Sequence, residues 1–120
     1  MNVAYWIVAS LLALFYVYAG GLKVVRSRAQ LRPMMAWVDS MPMPAVRAIG
    51  AVELLGTLGL VLPPLTGIAP GLALAAAVGY VVSQLGAAGV HLSRGERQIA
   101  LNLVLIATAA VTAWLATTWL

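Results

Sequence analysis

Six polar side chains stand in stretches that are otherwise apolar: Tyr16, Lys23, Glu53, Gln84, His91 and Asn102. Glu53 leads them. A carboxylate in hydrocarbon is expensive and must find a partner. Beside a bound ligand it can accept and release protons, and histidine is the commonest side chain for the same work. Glu53 and His91 are therefore the candidate catalytic residues. Tyr16, Lys23, Gln84 and Asn102 add donors and acceptors that, with those two, could bind a small molecule. Each also has a plainer role. Glu53 could be a structural hydrogen-bonding hub, His91 a polar residue at a membrane interface, and Lys23 a cation reaching for the headgroups. In a hydrogen-bonded hub a neutral amide would keep most contacts, so the fold is expected to survive Glu53→Gln.

Other chemistries are excluded. The chain has no cysteine, which removes disulfides, thiol relays, iron–sulfur clusters and Cys-based zinc sites. A single histidine cannot make a bis-histidine haem site, and His91 with Glu53 is too few ligands for a metal. No metal, haem or cluster is expected within the chain. There is no phosphate loop, nucleophile triad or HExxH motif. The pI of about 10.1 does not indicate nucleic acid, because the basic residues sit in two short loops between apolar spans.

These side chains must be held by membrane helices. Of the 120 residues, 63% are hydrophobic and only 8% charged, against about 25% charged in soluble domains. So few charges cannot cover the surface of a small domain, and lipid must cover the rest. Residues 1–22 and 98–120 carry no charge, and 54–93 hold only His91 as a titratable acid–base group. A crossing helix needs about 20 residues. The pattern predicts an all-α integral membrane four-helix bundle of up-down topology, one domain over 1–120, with spans at about 3–23, 45–62, 68–91 and 99–119. Pro63-Pro64 is expected to end the second span. Between the first two spans, Leu31, Met34, Met35, Val38 and Met41 recur at helical spacing around Pro33, which predicts a short interfacial helix.

Lys23, Arg26, Arg28, Arg32 and Arg47 flank the first loop, and Arg94 and Arg97 lie in the third. The termini and the second loop have no lysine or arginine. The positive-inside rule then places both termini on the non-cytoplasmic side, as in a bacterial inner membrane. Helical geometry brings the polar residues to one depth. Tyr80, Gln84 and His91 share a face, and Tyr16 lies about 10 Å along the axis from Lys23 on the same side. Glu53 is about 12 Å into the second span, and Asn102 is near the start of the fourth. All four helices thus offer a polar residue in the cytoplasmic half. Arg47 is turned about 120° away from Glu53, so Lys23, Tyr16, Gln84 or Asn102 are its better partners.

Several segments carry a resemblance. Ala19-Gly20-Gly21-Leu22-Lys23 closes the first span, and a Met- and Pro-containing loop follows. Then come Gly50-Ala51-Val52-Glu53-Leu54-Leu55-Gly56 and the proline pair, and the third span ends in Gly89-Val90-His91-Leu92. Over nearly its whole length the chain resembles the DoxX-like family of small four-helix membrane proteins. The resemblance implies Lys23, Glu53 and His91 as the family's polar positions. It also implies a link to quinone-coupled oxidation, to oxidative-stress complexes or to the assembly of other membrane proteins. A thiol-handling role would need cysteines. The expected function is a membrane redox accessory that binds a lipophilic molecule such as a quinone, with a redox or membrane-protein partner supplying electrons. Self-association is compatible with its small-residue faces. An assembly factor or scaffold is the alternative. A proton-coupled exporter ranks last, because small four-helix exporters usually carry their glutamate in the first helix.

Overall fold

The computed structural model describes residues 2–95 and 99–120; Arg97, one of the seven basic residues counted above, lies outside them. Five α-helices follow in order: α1 (Asn2–Val25), α2 (Arg28–Leu31), α3 (Met43–Thr66), α4 (Leu72–Ser93) and α5 (Ala100–Ala116). A 3-10 turn covers Ala36–Ser40 and another, Thr117–Trp119, extends α5. Among the described residues there is no strand. The four long helices are apolar and long enough to cross a membrane. They form an up-down ring in which α1 packs on α3, α3 on α4, α4 on α5 and α5 back on α1. This is the expected four-helix bundle.

The pairs α1/α3 and α4/α5 are the tightest junctions, and α5/α1 is the loosest. Small residues set the α1/α3 approach. A Cβ on Gly50 would come within 2.7 Å of the Gly20 carbonyl oxygen, so only glycine allows these backbones to meet. Arg47 strengthens the same junction at the basic end. Its Nη1 donates to the Lys23 carbonyl at 2.7 Å and to that of Arg26, satisfying carbonyls that the end of α1 leaves unpaired. At the opposite end, where both termini lie, Tyr5, Ala9, Ala73, Leu115 and Ala116 form a dry cluster with Trp6 and Trp119.

Two boundaries differ from expectation. The second span does not stop at 62 but continues through Pro63 and Pro64 to Thr66, where Gly67 caps it at φ 75°. Pro64 has no N–H for the Leu60 carbonyl, which should break the helix. The Tyr5 hydroxyl donates to that carbonyl at 2.7 Å instead. A tertiary contact replaces the missing helical bond, so the helix persists. The third span begins at Leu72, not 68, because Gly67 turns the chain and residues 68–71 form the connection. The fourth span, Ala100–Trp119 with its closing 3-10 turn, falls where it is expected.

The single interfacial helix expected around Pro33 is also replaced, by two shorter pieces. Ser27 and Gln30 form a reciprocal capping box that starts α2 earlier. The chain leaves helical geometry at Met35, φ −136° and ψ 70°, before the 3-10 turn. Leu31 and Val38 are buried on Val46, which folds this loop under the bundle. Arg28 holds the fold-back through the carbonyls of Val38 and Met41. Arg32 pairs with Asp39 at 3.0 Å, and Arg94 bonds the Ser40 hydroxyl, tying the loop to the end of α4.

Candidate functional site

A cavity of about 680 Å³ occupies the basic half of the bundle. The register of each helix explains its polar wall. On α3 the buried residues Val46, Gly50, Glu53, Thr57 and Leu60 follow three-four spacing, so Glu53 must face the axis. Ala73, Ala77, Tyr80, Gln84 and Ala88 do the same on α4. Lys23 continues the stripe of Leu12, Tyr16 and Ala19 on α1, and Asn102 opens the stripe of α5.

Lys23 and Glu53 meet across the α1/α3 junction. Nζ donates to Oε1 at 2.8 Å and to Oε2 at 2.9 Å, with the two side chains only 9% and 5% exposed. Buried charges persist when they are paired at such distances. Lys23 has one further N–H, and the Trp37 ring centroid lies 5.8 Å from its Nζ. The Glu53 backbone is held as firmly as its carboxylate. Tyr80 Oη donates to the Glu53 carbonyl oxygen at 2.6 Å, with Thr57 Oγ1 3.0 Å from that Oη. Thr57 Oγ1 also donates to that carbonyl at 3.2 Å, so both hydroxyls converge on the Glu53 backbone.

A second chain of bonds crosses the bundle. Asn102 Nδ2 donates to Gln84 Oε1 at 2.8 Å, and Gln84 Nε2 donates to Tyr16 Oη at 2.7 Å. It joins α5, α4 and α1, the last two being diagonal partners in the ring. The rings of Tyr16 and Tyr80 stack face to face, with centroids 3.9 Å apart and planes 1° from parallel. The carboxylate group and the amide chain are therefore adjacent, joined through this stack.

All six residues singled out from the sequence line this one cavity: Tyr16, Lys23, Glu53, Gln84, His91 and Asn102. Five are buried, and His91 is half-buried toward the basic end. Glu53 faces the bundle and not lipid. Its partner is Lys23, and Arg47 caps α1 instead. Among the described residues no group of three His, Cys, Asp or Glu side chains could hold a metal ion.

A comparison with protein families decides the kinship. The profile of the DoxX-like family matches residues 7–112, which takes in most of α1 and α5, all of α3 and α4, and every residue of the site. The chain belongs to the DoxX-like family. With its four apolar helices, it is a multi-pass membrane protein in contact with the lipid bilayer. No curated protein and no solved structure matches it.

Sequence reasoning missed part of this DoxX-like site. Tyr80 shares a helical line with Gln84, yet only the fold shows its hydroxyl bracing the Glu53 backbone. Thr57 stands one turn beyond Glu53 and is drawn in by that same hydroxyl. Met34, Met35, Trp37 and Met41 also line the cavity. Their helical spacing was visible, but a linear pattern cannot show that their loop folds back beneath the helices.

Proposed function

We propose that this DoxX-like protein is a membrane redox accessory that binds a neutral, lipophilic molecule of the quinone class in its basic-end cavity. One observation carries the reading. The cavity is mostly apolar, but polar side chains from all four long helices gather on its wall. Its volume falls within the roughly 300–1,000 Å³ of small-molecule sites. Lys23 and Glu53 cancel each other's charge, which favours an uncharged head. A quinone head presents two carbonyl acceptors. The third N–H of Lys23, the O–H of Tyr16 and the second amide N–H of Asn102 are donors suited to them.

Reducing a quinone to a quinol takes two electrons and two protons. The electrons would come from a redox partner. Glu53 and His91 would hold and pass the protons at the basic end. Tyr80 and Thr57 would fix the Glu53 backbone during that exchange. The basic end would face the cytoplasm of a bacterial inner membrane, leaving both termini on the other side.

Native mass spectrometry of the protein extracted with its lipids tests this. A quinone retained by the wild-type chain, and lost from Asn102→Leu, is the expected result. A stoichiometric protein partner with no small molecule would replace this reading with that of an assembly factor or scaffold.

A further inference from the structure

The walls of the cavity are not all interior. Ala19 and Leu105 line it and are buried, 5% and 7% exposed. Tyr18 and Leu101 line it too, yet they are 60% and 58% exposed. They belong to α1 and α5, which share the loosest junction in the ring. A residue can be both cavity wall and outer surface only at an edge. Tyr18 and Leu101 therefore frame an edge on the flank of the bundle, within helices apolar enough to cross a membrane.

The gap has limits in both directions. Toward the termini it is closed by Leu12, Leu105 and Ala109 in the central core, and then by the cluster around Tyr5. Toward the basic end the loop carrying Met34, Met35 and Met41 borders the cavity, and Met34, 56% exposed, marks a second edge there, at the headgroup level and not on the apolar flank. On the opposite flank, the α3/α4 junction is closer. Gly56 meets the Tyr80 ring there, and Ile49 and Ser83 stand between the cavity and a shallow outer groove beside Val52.

We propose that the cavity opens sideways into the bilayer through a window between α1 and α5, framed by Tyr18 and Leu101, and that its ligand is a membrane-dissolved molecule whose apolar chain lies in that window. This rests on the reading of the cavity as a ligand site but not on the ligand's being a quinone. Apolar surface on both sides lets a hydrocarbon chain pass without meeting water. The head then reaches the polar wall while the chain stays in lipid. A water-soluble ligand would gain nothing from such an entrance.

The absence of cysteine makes the test direct. Tyr18→Cys with Leu101→Cys is bridged by a short bismaleimide in liposomes, and the same double variant left unbridged controls for folding. Val52→Cys with Gly79→Cys, neither of which lines the cavity, is bridged likewise across the opposite flank. Two photoreactive probes are used, a benzoquinone with a diazirine-bearing decyl chain and the same chain on a plain phenyl ring. Labelled positions are mapped by peptide mass spectrometry. The expected result is labelling at Ala19 and Leu105, lost to background on bridging α1 to α5 and unchanged on bridging α3 to α4. Labelling by both probes alike would uphold the window and remove the quinone. Labelling that survives the α1–α5 bridge, or that never reaches Ala19 and Leu105 with either probe, would overturn the window.

Discussion

Removing either member of the Lys23–Glu53 pair should destabilise the bundle more than removing both. The pair is bidentate at 2.8 and 2.9 Å, and the two side chains are 9% and 5% exposed. Breaking a buried pair costs about 3–5 kcal/mol, whereas replacing both members with neutral groups is often neutral. The two single variants should not be equal. In Lys23→Met the carboxylate is left unpaired about 15 Å into α3, too deep for its short side chain to reach the headgroups. In Glu53→Gln the ammonium remains, but Lys23 is two residues from the end of α1. Its stem can swing the charge toward the basic end. Lys23→Met should therefore cost the full ~3–5 kcal/mol and Glu53→Gln the lower end of that range or less. The double variant should unfold close to wild type, giving a coupling energy equal to the sum of the two single costs, at least about 3 kcal/mol. Reversible unfolding in mixed micelles, followed by tryptophan fluorescence, measures all four proteins. A double variant as unstable as the sum of the singles would refute the reasoning. The sequence alone leads to a Glu53→Gln protein that is well folded but inactive, because no charge would remain to be desolvated. The Lys23 contact adds a modest loss of stability to that expectation, since the ammonium is left without its partner.

Three further outcomes are expected. Tyr5→Phe should cost about 1–3 kcal/mol by orphaning the Leu60 carbonyl, and Pro64→Ala should recover most of it by restoring the helical N–H; calorimetry showing no recovery would remove this account of the proline pair. Gly50→Ala should destabilise by roughly 1–3 kcal/mol, because the added methyl meets backbone of α1. Gly21→Ala, with nothing within 4 Å of its Cβ, should be neutral or slightly stabilising in the same denaturation assay. A reporter active only in the cytoplasm should stay silent when fused at residue 120 and report when inserted in the loop before α3; the reverse pattern would invert the proposed orientation.

The sequence by itself determined the membrane class, the number of spans and the inward faces of Tyr16, Glu53, Gln84 and Asn102. Those properties are carried by composition and by the three-four spacing of a helix, which act within one segment. The convergence of six polar residues at one depth was legible for the same reason. Pairing was not. Helical geometry set Arg47 aside from Glu53 but left Lys23 equal with three neutral donors, since choosing among them needs the distance between helices. The Gly20–Gly50 approach supplies it by bringing α1 onto α3. Local rules also failed where a remote group changed their outcome. Pro64 should have ended a helix, but Tyr5, at the far end of the chain in sequence, takes over the abandoned carbonyl. The apolar loop promised one continuous short helix, but burying both Leu31 and Val38 on Val46 divides it into two short pieces. Only the packing of the four helices decided that the polar wall borders a cavity.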